Sequence, residues 1–218
     1  MATHLDLEEQ EQLDQLKAFW KQYGNLITWA LIAVLGTIAA WNGWNWWQRE
    51  QSVSASGMYD ELERASTAGD LATAGRVFMD LRSRYPRTAY AQQGGLLAAK
   101  VQYDQGQPDA ARESLSWVAE QGSDKELKAL ARLRLAGVLL DQKKYDEALK
   151  ALDAVDAKGF EALVADRRGD VLAAQNKAEE AKAAYASAWK AMDSKIGYRR
   201  LVEAKLNALG GATPEAVQ

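Results

Sequence analysis

The side chains best placed to do chemistry in this sequence are carboxylates. Asp166 and Asp170 stand four residues apart, which puts both on one face of a helix, and two such groups can serve as acid and base. Arg167 and Arg168 lie between them, the pattern of an ordinary charged surface, so no catalysis is expected. Other chemistries lack their residues. There is no cysteine, and the one histidine is His4, so thiolate nucleophiles, Cys/His zinc sites and histidine-dependent triads are excluded downstream of it. Gly94-Gly95 lacks the flanking motif and the strand-to-helix setting of a phosphate loop. Neither a cofactor nor a metal is expected.

The formal charge of −3 is unevenly placed. Residues 1–24 carry Asp6, Glu8, Glu9, Glu11 and Asp14 against Lys17 and Lys21. Removing these from the totals of 27 basic and 30 acidic residues leaves 25 of each for the rest of the chain. A nucleic-acid surface needs a basic stripe, so no nucleic-acid partner is expected.

The elements that must position any site begin with an anchor. Leu26 to Trp47 is 22 residues without a charge. As a helix it spans roughly 33 Å, enough for a bilayer. Trp41, Trp44, Trp46 and Trp47 end the run and Trp20 and Tyr23 precede it, so an aromatic belt is expected at each interface. The segment follows mostly acidic and polar residues and lacks a convincing cleavage site, which predicts an uncleaved signal anchor rather than a removed leader. Gly36 and Gly43, seven apart, would permit close helix approach in lipid. Charge nearly fails to orient the span: Lys17 and Lys21 on one side balance Arg49 and Arg64 on the other, and the terminal amine tips the count toward a cytoplasmic N-terminus. Leu13, Leu16, Trp20 and Tyr23 recur at helical spacing, predicting a short amphipathic helix over residues 8–23.

From about residue 57 the chain is rich in Ala, Leu, Gln, Lys and Glu, which predicts an all-α domain. One pattern then recurs four times, centred on Ala74, Ala111, Ala148 and Ala181, at steps of 37, 37 and 33 residues. Four positions after each comes a large residue: Phe78, Leu115, Leu152 and Tyr185. Twelve before stand Leu62, Ala99, Ala136 and Gly169, three of them small. A small residue lets two antiparallel helices approach, and the larger one a turn later fills the groove between them. The expectation is an α-solenoid of about four helical hairpins with a capping helix over Gly197 to Leu209. The extra residues in the two longer units predict longer connections between helices.

This pattern resembles the tetratricopeptide repeat, with Pro86 on the family's proline position in the first unit. The acidic EEQEQLDQLKAFWKQYGN stretch, the tryptophan-ended anchor and a repeat domain containing RSRYPRTAYA together resemble the YfgM family, ancillary subunits of the bacterial Sec translocon. The resemblance implies a single-pass inner-membrane protein divided into a cytoplasmic tail (1–24), a transmembrane anchor (25–47), a periplasmic repeat domain (48–209) and a flexible tail (210–218). It also implies association with the SecYEG channel and with a periplasmic chaperone of the PpiD type, toward which exported polypeptides would be passed. The alternative is an envelope scaffold organising cell-wall or outer-membrane assembly machinery.

In either case the binding surface is expected on the first helices of the hairpins. The repeat register places Leu96, Lys100 and Tyr103 in the second unit on the groove, with Leu130 and Leu133 in the third and Leu163, Asp166 and Asp170 in the fourth. Apolar members would supply energy and charged ones register.

Overall fold

The computed structural model describes residues 7–211, and every regular element among them is an α-helix. His4 and residues 212–218, most of the expected C-terminal tail, lie outside the described residues. The chain divides into a unit ending at Glu50 and a second beginning at Gln51.

The described part of the first unit is wholly helical and belongs to α1 (Leu7–Thr67). No proline falls within these bounds, and isolated glycines such as Gly24, Gly36 and Gly43 each cost a helix only about 1 kcal/mol, so local chemistry supplies no stop. The expected boundaries at residues 24 and 47 therefore both fall inside α1. The two threonine hydroxyls of the apolar run are satisfied within the helix. The Thr28 and Thr37 hydroxyls donate to the Gly24 and Ala33 carbonyls one turn back, each at 2.8 Å.

The second unit is a row of hairpins. Residues 51–67 of α1 pack with α2 (Leu71–Arg84), α3 (Ala89–Asp104) with α4 (Pro108–Gln121), α5 (Lys125–Asp141) with α6 (Tyr145–Asp153), and α7 (Glu161–Ala174) with α8 (Ala178–Ala191). The last helix, α9 (Arg199–Ala208), closes the row against α8. Ala74, Ala111, Ala148 and Ala181 are all buried, and so are Phe78, Leu115, Leu152 and Tyr185. Gly169 shows why the first helix needs a small residue: a Cβ there would run into the Tyr185 ring. Leu62, the large exception in the first unit, is accommodated from the next hairpin. Gly94 on α3 faces it, and an added Cβ would stand 3.1 Å from both Leu62 Cδ2 and Leu81 Cδ1.

Each hairpin turns in the same way. Five residues before the key alanines stand Gly69, Gly106, Lys143 and Asn176, with φ of 72°, 72°, 59° and 62°. The next residue then returns its N–H to a carbonyl five positions earlier: Asp70 to Ala65, Gln107 to Gln102, Lys144 to Leu139 and Lys177 to Leu172, all within 2.9 Å. This is the Schellman closure of a helix C-terminus, which needs a left-handed residue. Glycine adopts that conformation freely and asparagine tolerates it, whereas Lys143 carries strain.

The extra residues of the longer units do not lengthen connections, as expected from spacing. They lengthen the first helices: α3 has 16 residues and α5 has 17, against 14 in α7. The links before α3 and α5 are short, while a longer link, residues 154–160, lies in the 33-residue step because α6 has only 9 residues. Added residues extend hydrogen-bonded helix at the favourable end of propagation, whereas added loop would gain no bonds.

The α4–α5 link is fixed by one buried side chain. Gln92 Nε2 donates to Ser123 Oγ at 2.8 Å, and Gln92 Oε1 accepts from the Asp124 N–H at 3.1 Å. Asp124 then caps α5 by accepting from the Leu127 N–H at 2.8 Å.

Candidate functional site

Between the first helices α3, α5 and α7 lies an open concavity of about 450 Å³. Its walls carry Lys100, Tyr103 and Asp104 from α3, Arg134 and Asp141 from α5, and Arg167 from α7. Gly137 leaves the middle of the floor without a side chain, and Arg167 leans over it, its guanidinium carbon 3.8 Å from where a Cβ would stand. Lys100 pairs with Asp104, one turn along α3, and the Tyr103 hydroxyl donates to Asp141 on α5. That hydrogen bond, followed by burial and by the carboxylate charges of Asp141 and Asp104, raises the Tyr103 pKa and keeps the phenol a donor.

Of the eight expected groove residues, the structure brings only Lys100 and Tyr103 together on this concavity. Leu96 and Leu133 are buried, because their positions fall where adjacent first helices meet, and they belong to the core. Leu130 is half-buried against the same core, and Leu163 is 41% exposed on α7. Asp104, Arg134, Gly137, Asp141 and Arg167 were missed by the register argument. Their spacing held the signal: Arg134 and Arg167 each stand fourteen residues before a key alanine, and Asp104 and Asp141 each stand seven before one.

Asp166 and Asp170 are placed differently from the expectation as well. Asp166 is 2% exposed, covered by the capping segment in the position a further first helix would take. Its carboxylate accepts from Lys205 Nζ at 2.8 and 3.0 Å and from the Tyr198 hydroxyl at 2.7 Å. Lys205 also reaches Asp170 at 2.7 Å, and the Tyr185 hydroxyl donates to Asp170 at 2.9 Å. Burial lowers the Lys205 pKa, but hydrogen bonds to Asp166 and Asp170 outweigh it and the net shift is upward. Burial, then the neighbouring carboxylates, raises the pKa of Tyr185; for Tyr198, burial and the hydrogen bond to Asp166 do the same. Both phenols and the ammonium thus stay protonated donors, and the two carboxylates are a clamp holding α9 to α7. Among the described residues no group of His, Asp or Glu is assembled to hold a metal.

The anchor is the other surface. Among the described residues one helix is long and apolar enough to cross a membrane, and only 6% of its apolar stretch is buried, unlike the core helix of a soluble domain. Trp20, Tyr23, Trp41, Trp44, Trp46 and Trp47 are all exposed along it. Trp44 and Trp47 lie with ring centres 5.3 Å apart. The Trp20 indole lies against Gly24, where a Cβ would come within 3.1 Å of it.

These features define a class: a chain with one bilayer-length apolar helix and a stack of tetratricopeptide-like hairpins. Comparison with known proteins agrees, since residues 17–211 match the model of the tetratricopeptide repeat-like domain. A protein of Neisseria gonorrhoeae named ancillary SecYEG translocon subunit is 35% identical over 210 residues, covering 96% of this chain and 100% of that one. Relatives of the same name from Haemophilus influenzae and Escherichia coli K12 are 31% and 29% identical, over 81% and 92% of this chain and 89% and 96% of theirs. The chain belongs to this family, the YfgM family of tetratricopeptide-like proteins.

Proposed function

We propose that this chain is a non-catalytic protein-binding subunit of the SecYEG translocon, held in the bacterial inner membrane, that links exported polypeptides to a periplasmic chaperone of the PpiD type. The observation that carries the reading is the union in one chain of a bilayer-length apolar helix and an open groove lined from three successive first helices. A tether raises the effective concentration of the groove near its partners, so weak contacts suffice. The relatives' names support the translocon as the place of work. The N-terminal tail is cytoplasmic and the repeat domain periplasmic, in keeping with the family resemblance and with Lys17 and Lys21 before the span. The absence of catalysis is supported by Asp166 and Asp170, whose carboxylates share one ammonium instead of facing an open cleft.

Site-specific photocrosslinking in intact cells from Lys100, Tyr103 and Leu163, all exposed, tests this reading. Crosslinks to channel subunits or to a membrane-anchored chaperone are expected. No crosslinked polypeptide from any of the three, with the protein present in the membrane fraction, overturns it.

A further inference from the structure

The groove over Gly137 is lined by three cations and two carboxylates, and both carboxylates already accept from neighbours: Asp104 from Lys100 and Asp141 from Tyr103. The guanidiniums are differently placed. Arg134 donates to the Leu96 carbonyl at 3.4 Å, and among the described residues no carboxylate lies within ion-pair reach of it. Arg167 meets Asp170 Oδ2 at 3.4 Å, a longer contact than those of Lys205 at 2.7 Å and Tyr185 at 2.9 Å on the other oxygen, Oδ1. Both arginines line the same concavity beside Gly137, which carries no side chain.

Arg134 and Arg167 occupy equivalent positions on successive first helices. Such helices pack about 8–10 Å apart. An extended chain advances about 3.3 Å per residue and alternates its faces, so side chains two residues apart share a face and stand about 7 Å from each other, within reach of two long arginines. We infer that the groove binds an extended polypeptide segment carrying two side-chain carboxylates two residues apart, one seated on Arg134 and the other on Arg167. The inference rests on the groove being the polypeptide-binding site proposed above. A guanidinium fork matches a carboxylate with two parallel hydrogen bonds, so recognition is directional as well as electrostatic. Lys100 offsets Asp104, whereas Asp141 accepts from a neutral phenol and keeps its charge, so the lining carries a net single positive charge that comes from the two arginines.

The test uses the full-length protein in nanodiscs of zwitterionic lipid. A rhodamine-labelled, C-terminally amidated peptide with Asp-Ala-Asp in a Ser/Ala background is titrated against the same peptide with Asn-Ala-Asn. Saturable, salt-sensitive binding of the aspartate peptide is expected. It should weaken at least tenfold in the double variant Arg134→Gln/Arg167→Gln, whose melting temperature is checked against wild type. In Arg134→Glu/Arg167→Glu the preference should reverse toward a Lys-Ala-Lys peptide. Equal binding of the aspartate and asparagine peptides, undiminished binding by the glutamine variant, or binding only of a peptide with a free carboxyl terminus overturns the inference. If the peptide fails while the wild type still co-isolates with the channel and crosslinks from the groove, this inference alone is lost. Loss of co-isolation and crosslinking overturns the functional reading itself.

Discussion

Lys205 on α9 reaches across 39 positions of chain to Asp166 on α7, with its ammonium 2.8 Å from one carboxylate oxygen and 3.0 Å from the other. Asp166 is nearly inaccessible, and Lys205 is the cation paired with its carboxylate. Lys205→Ala should therefore destabilise the protein by about 3 kcal/mol, since a buried carboxylate left unpaired costs 3–5 kcal/mol. Urea unfolding checks the magnitude, and hydrogen exchange should show α9 released first. Replacing both partners, Asp166→Leu with Lys205→Met, should recover part of the loss, because the most deeply buried charge is removed while Asp170 keeps Arg167 and Tyr185.

The same cluster sets an alkaline limit. Lys205, Tyr185 and Tyr198 all have pKa values raised in the folded state, so the native protein holds protons that the unfolded chain releases first. Their contribution is fully present below the ordinary pKa values of about 10–10.4 and falls as pH rises through the folded values. Trp189, which packs in this cluster beneath Arg199, is a local reporter. Its fluorescence, in a variant retaining no other tryptophan in the repeat domain, should begin to change above about pH 10 and hold steady from pH 6 to 9.

Lys143 adopts φ of 59° where two of the other hairpins have glycine. Lys143→Gly should stabilise the protein by about 1 kcal/mol, since glycine avoids the left-handed penalty of 1–2 kcal/mol and loses part of this to backbone entropy. Gly106→Ala, at φ of 72° with open space around it, should cost about 1 kcal/mol from backbone conformation alone. Thermal melts of the two variants should shift in opposite directions.

Glycines inside helices separate by what faces them. Gly169→Ala would drive a methyl into the Tyr185 ring and should cost about 1–3 kcal/mol. Gly75→Ala on α2 meets nothing within 4 Å and should stabilise by about 0.5–1 kcal/mol. Chemical denaturation midpoints decide both signs. Tyr185→Leu in the Gly169→Ala background should restore part of the lost stability.

Gln92→Ala should cost about 1–3 kcal/mol by leaving the Asp124 N–H without its acceptor and Ser123 without its donor. Faster hydrogen exchange at the start of α5, with little change at α8, would place the damage in the α4–α5 link.

The alternation of small and large residues was readable because packing two helices face to face is a local, periodic demand. Ala111 and Leu115, or Ala181 and Tyr185, meet it without reference to the rest of the chain. The Schellman turns were equally readable in principle from Gly69, Gly106 and Asn176 at one fixed offset, although Lys143 hides the rule in the third hairpin. The anchor needed only an uncharged run of bilayer length. Register failed where a first helix meets its neighbour. Leu96, Leu133 and Asp166 have the spacing of groove residues, yet each is covered by an adjoining element.

The linear order of residues thus determined the helices, the number of hairpins and the membrane-length segment, because short-range spacing and hydrophobicity act without knowledge of distant partners. Tertiary structure alone decided that Asp166 and Asp170 clamp a cap, that Leu62 is accommodated by Gly94, and that Arg134 and Arg167 share an open groove. Exposure and charge pairing depend on which element lies opposite, and in a stack of near-equivalent helices that is settled only when the neighbours dock.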